Sequence, residues 1–195
     1  MTAVSAVEKP LAIGPLSLSI PVVLAPMAGI TNTAFRRLCR EYGAGLYVSE
    51  MITSRALVER TPTSMRLIKH HESETPRSIQ LYGVDPATVS EAVAYLVGED
   101  LCDHIDLNFG CPAKAVNKSK GGAVLLKTPE TIYQIVSQVK KAVGTSEATS
   151  VKIRLGFDDS GLFSEIVDAI SSAGADLLTI HARTKKHGYQ PPAYW

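Results

Sequence analysis

Apolar and polar residues alternate with period two in several short segments of this chain, and the stretches between them carry a helical period. In "SVKIRLG", Val151, Ile153 and Leu155 fall on one side, with Lys152 and Arg154 on the other. In "HIDLNFG", Ile105, Leu107 and Phe109 oppose Asp106 and Asn108. Leu178 and Ile180 oppose Thr179, His181 and Arg183 in "DLLTIHART", and Ile79 and Leu81 oppose Gln80 and Tyr82 in "RSIQLYG". "VVLAPMAG" (22–29) and "GLYVSEM" (45–51) bring the strand segments to six. The helical segments carry their own boundary residues. "TNTAFRRLCREYG" has Thr31 or Asn32 as cap, an apolar stripe of Phe35, Leu38, Cys39 and Tyr42, and Gly43 as terminator. "DPATVSEAVAYLV" opens on Asp85 and Pro86, "TPETIYQIVSQVKKAVG" opens in the same manner, and "LFSEIVDAISSAG" closes on Gly174. Residues 52–74 read as a polar connection with one or two short helices.

Strand–helix alternation with short turns predicts parallel strands joined by crossover helices. A doubly wound sheet and a (β/α)8 barrel both satisfy it. No Gly-x-Gly-x-x-Gly and no Walker-type loop follows any strand, and the "GAG" at 43–45 follows a helix. Parity favours the barrel. Central parallel strands are normally apolar on both faces, whereas these strands each keep one polar face. Burying its charges unpaired would cost several kcal/mol each. Convergence of the polar faces on a ligand at the C-terminal strand ends removes that cost; internal pairing, for instance of Asp106 with Lys152, is the competing arrangement. Six strand–helix starts predict the first six units of a (β/α)8 TIM-type barrel, with residues 1–195 forming one incomplete domain. An open six-stranded variant is the alternative.

Composition refines this only modestly. The chain has 195 residues, is 45% hydrophobic and 20% charged, and carries a formal net charge of +1, so a nucleic-acid partner would have to meet a local basic patch. Cys39, Cys102 and Cys111 form no Cys-x-x-Cys pair, which argues against a zinc site or a disulfide framework and for a reducing, cytoplasmic setting. The first residues show no signal-peptide pattern, and no apolar run reaches ~18 residues, so no membrane association is expected.

Candidate chemistry gathers at the strand ends. Cys111 sits on a Gly-Cys-Pro turn just past a strand, where a barrel presents catalytic groups, and a thiol can donate a proton or act as nucleophile. Lys152 lies within a strand and needs an anionic or electron-rich partner, such as a phosphate, a carboxylate or a flavin edge. Gln80 both donates and accepts, as an amide-like heterocycle edge requires. His181 is suited to phosphate, acid catalysis or a metal, although no carboxylate–histidine spacing accompanies it. Lys114, Lys118 and Lys120 flank the cysteine, and "RTKKHGY" supplies a second basic cluster, so two basic loops on one rim can hold a polyphosphate backbone. Arg36, Arg37 and Arg40 are candidates to extend that patch.

Together, "LAPMAGITNTAFRRLCREYGA", "SEMI", "IQLYG", "IDLNFGCPAKAVNKSKGGAVLL", "VKIRLGF" and "TIHARTKKHGY" resemble the tRNA-dihydrouridine synthases over nearly the whole chain. The resemblance implies a barrel that binds FMN, is reduced by NADPH, and reduces the C5=C6 bond of a uracil in tRNA, with Cys111 protonating C5. It implies that Pro26, Met27 and Ala28 lie along the isoalloxazine. Gln80 and Lys152 would bond the polar edge of that ring, Asn108 would orient flavin or uracil, and His181 would reach the ribityl phosphate. Lys114, Lys118, Lys120 and Arg183 would serve the substrate. No metal and no obligate protein partner is implied. The last barrel strands and the helical tRNA-binding domain of the family have no counterpart in the 195 residues, so weak or no flavin binding is expected of the chain alone. A dihydroorotate-dehydrogenase-like enzyme acting on a free pyrimidine and an inactive RNA-binding fragment are the competing readings.

Overall fold

A computed structural model describes residues 9–194; the N-terminal residues 1–8, on which the absence of a signal peptide was partly read, lie outside the described residues. The chain opens with an antiparallel hairpin, β1 (Leu11–Ile13) and β2 (Leu16–Leu18), which has no counterpart in the sequence reading. Its Ile13 and Leu18 pack with Leu46 and Ala148 in a small second core at the N-terminal ends of the strands.

Six parallel segments then follow in order. β3 (Val23–Leu24) pairs with β4 (Leu46–Tyr47), and a single parallel bridge from Val48 to Ser78 joins that pair to β6 (Ser78–Tyr82). β6 pairs with β7 (His104–Asn108), β7 with β8 (Ala148–Arg154), and β8 with β9 (Leu177–His181). The short β5 (Ile52–Thr53) adds beside the C-terminal end of β6. Sequential, all-parallel neighbours joined by helices are the arrangement of a barrel wall. Among the described residues the strands form an arc, and no closed barrel is present.

The helices that cover β6–β9 are α4 (Pro86–Gly98), α6 (Pro129–Val143) and α7 (Phe163–Ser172). Asp85 caps α4, accepting from the N–H of Thr88 at 2.8 Å, with Pro86 at the first turn. Thr128 begins α6 without capping it; its hydroxyl donates instead to the Leu125 carbonyl. The apolar faces of these helices bury Val93, Leu96, Ile135, Val139 and Ile170 against Ile79, Leu107 and Ile153 on the outer face of the sheet. Full burial of each such side chain contributes about 1.5–3 kcal/mol, which holds the polar parity inward. Two short helices, α2 (Ser54–Val58) and α3 (Pro62–Leu67), occupy the polar connection.

The first helix departs from expectation. α1 (Thr33–Arg40) is capped by Asn32, one of the two expected candidates, but its predicted apolar stripe is not its buried face. Leu38 is 51% and Tyr42 83% exposed, whereas Arg36 is 1% exposed. Arg36 pairs with Glu74 at 2.8 Å and donates to the carbonyl of Thr31, so it belongs to the interior and not to a basic surface patch. Arg40 donates to the Thr75 carbonyl; only Arg37 of the three is freely exposed.

Candidate active site

The strand register decides which polar side chains meet. Gln80 stands opposite Asp106, and Asp106 opposite Ser150. One step further along, Asn108 stands opposite Lys152, and Arg154 stands opposite His181. All therefore face the concave side of the arc, graded from its floor to its C-terminal mouth. At that mouth lies a cavity of about 580 Å³, within the size range of small-molecule and cofactor sites. One wall is apolar: Pro26, Met27, Ala28 and Ile30 from the loop after β3, with Met51. The rest of the lining is polar, made by Gln80, Asn108, Lys152, Arg154 and His181, and Cys111 with Pro112 forms the lip. The lysine and the thiol thus open onto one hollow.

The apolar wall is held from behind. Thr31 is fully buried; its hydroxyl accepts from the N–H of Met27 at 3.1 Å and donates to the Met27 carbonyl at 3.2 Å. Glu50 accepts from the N–H of Gly29, and Gly29 has a φ of +76°, a left-handed turn that favours glycine.

The Cys111 turn is fixed on three sides. The Asn108 Oδ1 accepts from the N–H groups of Gly110 at 3.0 Å and Cys111 at 2.9 Å. The Arg154 Nε donates to the Gly110 carbonyl at 2.9 Å, while its Nη1 donates to Thr184 and Gly188 carbonyls at 3.2 and 2.9 Å. The Cys111 carbonyl accepts from the N–H of Ala123 at 3.0 Å. Gly122 makes that approach possible: a Cβ there would sit 2.7 Å from the Cys111 carbonyl oxygen, and its φ is +57°.

Polar groups in the wall are mostly committed to one another. Gln80 donates to Asp106 at 2.6 Å and accepts from Asn108 Nδ2 at 2.9 Å, leaving one amide hydrogen for a ligand. Asn108 Nδ2 also donates toward the Met51 sulfur at 3.6 Å, so its amide is used within the protein. Asp106 makes no ion pair with Lys152 within 4 Å; it is bonded by Gln80 and the Ser150 hydroxyl. Burial pushes the Asp106 carboxyl above the usual carboxylate range, opposed by those two bonds and by the nearby Lys152 charge. Burial lowers the Lys152 amine below its ordinary value, partly offset by Asp106. The His181 imidazole is pulled down to about 4 by burial and then by the positive charges of Arg154, Lys152 and Arg183. His181 is therefore neutral near pH 7. Arg183 Nη1 lies 3.2 Å from its Nε2; the guanidinium only donates, so the ring proton resides on Nδ1. In that state the imidazole can donate one hydrogen bond from its ring N–H.

Of the predicted site residues, Cys111, Pro26, Met27, Ala28, Gln80, Asn108, Lys152 and His181 all line the cavity. Lys114 and Lys118, on the short helix α5 (Lys114–Lys118), and Lys120 are exposed just outside the lip. Arg183 lies behind His181 and donates to the Gln190 carbonyl. Arg154, Met51, Ile30 and Tyr189 were not assigned from sequence. Arg154 shares the parity of Lys152 and was detectable on that ground. Tyr189, whose ring lies 5.3 Å from the Arg154 guanidinium, sits in a segment without periodicity.

Fold and cavity together define an α/β enzyme domain of the barrel type, with its site at the C-terminal ends of parallel strands. The family profile described as Dihydrouridine synthase (Dus) matches residues 23–195, and the chain belongs to that family. It is 46% identical to the probable tRNA-dihydrouridine synthase of Mycobacterium tuberculosis (strain H37Rv), covering 95% of this chain and 50% of that protein. It is 40% identical to the tRNA-dihydrouridine(16) synthase of Shewanella oneidensis, covering 89% and 57%. The chain thus spans about half the length of the curated relatives it matches. Among solved structures, TcOYE with pHBA superposes with a TM-score of 0.58 at 12% identity, covering 95% of this chain and 77% of that one. The 6-hydroxypseudooxynicotine amine oxidase of Pseudomonas geniculata N1 superposes at 0.59 and 15% identity, covering 90% and 38%. Both show likeness of fold.

Proposed function

We propose that this chain is the flavin-binding catalytic part of a tRNA-dihydrouridine synthase, which reduces the C5=C6 bond of a uracil in tRNA with NADPH as the source of reducing equivalents. The cavity's chemistry fits FMN: apolar side chains, hydrogen-bond donors and the Lys152 cation line one cavity. FMN, when bound and reduced, would supply the hydride for C6. The remaining work falls to the protein. Pro26, Met27 and Ala28 would give the ring a face to lie on, while Lys152 and the free amide hydrogen of Gln80 would meet its polar edge. His181 would donate a ring N–H to the ribityl phosphate. Asn108 holds the turn from which Cys111 delivers a proton to C5 as charge builds on the uracil. The exposed Lys114, Lys118 and Lys120 bind the RNA backbone outside the lip and keep the base out of its stack, with Arg183 supporting the substrate beside His181 at the C-terminal end of β9.

The observation that carries the reading is that Cys111 and Lys152 line one cavity together with the apolar Pro26, Met27 and Ala28. We propose further that the arc belongs to a longer barrel chain with a C-terminal helical tRNA-binding domain, acting in the cytoplasm without an obligate protein partner. Half-length coverage of the relatives supports this, as do the edge of β9, unpaired among the described residues, and the exposed Leu38 on α1 and Tyr42 just after it. The test is mass-spectrometric scoring of dihydrouridine after incubation with FMN, NADPH and unmodified tRNA, on this chain and on a C-terminally extended one. Cys111→Ala in the active form is expected to lower the rate about 10²–10⁴-fold. A rate unchanged by that substitution removes the thiol from the mechanism.

A further inference from the structure

We propose that Asp106 is a positioning residue for Cys111, acting through Gln80 and Asn108. The inference rests on the proposed role of Cys111 as proton donor and adds to it a residue that never touches the reacting atoms.

The argument is one of hydrogen-bond polarity. Asp106 is 3% exposed and sits at the floor of the polar wall. When ionised, its carboxylate only accepts, so Gln80, its neighbour in register, must present Nε2 to it, as it does at 2.6 Å. Ser150, the neighbour on the other side, donates to the second oxygen. With Nε2 turned down, the Gln80 Oε1 faces Asn108, which must answer with Nδ2, at 2.9 Å. The Asn108 Oδ1 is then left toward the turn, where it accepts from the N–H groups of Gly110 and Cys111. An amide oxygen and an amide NH2 are nearly equal in size, so packing alone hardly distinguishes the two orientations of Gln80 and Asn108. In the reversed orientation the Asn108 NH2 would face two N–H donors. An ionised carboxylate below, a state favoured by the Gln80 and Ser150 donors and the nearby Lys152 charge, and two donors above require the same polarity, and that carboxylate is the lower of these two anchors. Without it the chain of amides is held at one end only.

Amide hydrogen exchange tests this without any catalytic turnover, so a failure here is distinguishable from a failure of the functional reading. Exchange protection at Gly110 and Cys111 is measured by NMR relative to that of Leu107 in the same strand. Asp106→Leu keeps bulk but removes the acceptor, and it is expected to lower that ratio threefold or more. Asp106→Asn keeps an oxygen for Gln80 and an NH2 for the Ser150 oxygen, and the ratio should stay within threefold of the parent. In an Asn108→Asp background an acceptor faces the turn whatever Gln80 does, so Asp106→Leu should no longer change the ratio. A merely structural role would lower Leu107 together with the turn and would survive the Asn108→Asp change; either result overturns the proposal, as does a loss below threefold in Asp106→Leu. Should Asp106→Leu not fold, Asp106→Asn and Gln80→Met decide the matter. Protection retained in the first and lost in the second supports the relay, and any other combination overturns it.

Discussion

Replacing Arg36 with methionine is expected to be the most damaging single change on α1, and to loosen one wall of the cavity at the same time. Arg36 donates to both oxygens of Glu74, at 2.8 and 3.3 Å, to the Thr31 carbonyl at 2.8 Å, and more weakly to Thr33 and the Lys69 carbonyl. Both side chains of the pair are 2% exposed. Methionine fills the volume of the arginine stem but leaves the Glu74 carboxylate buried without its cation. Breaking one side of a buried pair costs about 3–5 kcal/mol, a large part of the roughly 5–15 kcal/mol that holds a domain together. In a chain of this size each kcal/mol moves the melting temperature by about 2–4 °C, so a drop of about 6–20 °C is expected. Because Thr31 braces Met27, FMN affinity should fall in parallel. The assay is thermal unfolding by circular dichroism of Arg36→Met, Glu74→Leu and the double variant, which removes the orphaned charge and should regain much of the loss. A single variant that loses less than about 1 kcal/mol, or a double variant as unstable as the sum of the two singles, would refute the reasoning.

Three further outcomes are expected. The His104 imidazole is buried beside the Ser78 hydroxyl and its pKa is lowered to about 4 by burial. The unfolded chain therefore takes up the proton first, and stability is lost as pH falls from 6.5 toward 4. A drop from 6.5 to about 4 at about 1.4 kcal/mol per unit is about 3 kcal/mol. His104→Gln should flatten the melting temperature in that window, and an unaltered slope would count against it. Gly122→Ala would force a Cβ to within 2.7 Å of the Cys111 carbonyl oxygen at a φ of +57°. It should cost roughly 1–3 kcal/mol and lower dihydrouridine formation more than it lowers FMN affinity, whereas equal losses would mean that the turn is not the part displaced. Each of Lys114→Ala, Lys118→Ala and Lys120→Ala should weaken tRNA binding and reduce the slope of log affinity against log salt by roughly 0.7–0.9; a slope unchanged in the triple variant would place the RNA elsewhere.

Much of this protein is written locally. The period-two parity of "SVKIRLG" and "HIDLNFG" turns Lys152, Asp106 and Asn108 to one face whatever the rest of the chain does, because successive side chains of a strand point to opposite sides. Asn32, Asp85 and Pro86 mark helix starts by bonds and dihedrals that span only a few residues. The Gly-Cys-Pro turn follows its strand directly, so the position of Cys111 at the site was legible too. What was not legible depends on partners distant along the chain. Arg36 is interior because Glu74 stands 38 residues away to receive it, and without that partner the helical pattern of α1 points to Leu38 and Tyr42 instead. Arg154 shared the parity of Lys152, yet its grip on the carbonyls of Gly110 and Gly188 exists only once three strand ends are brought together. Parity placed Gln80, Asp106 and Asn108 on one face, but it could not say that they bond one another in a line. Register between strands settles that, and register is fixed by the packing of helices against the sheet.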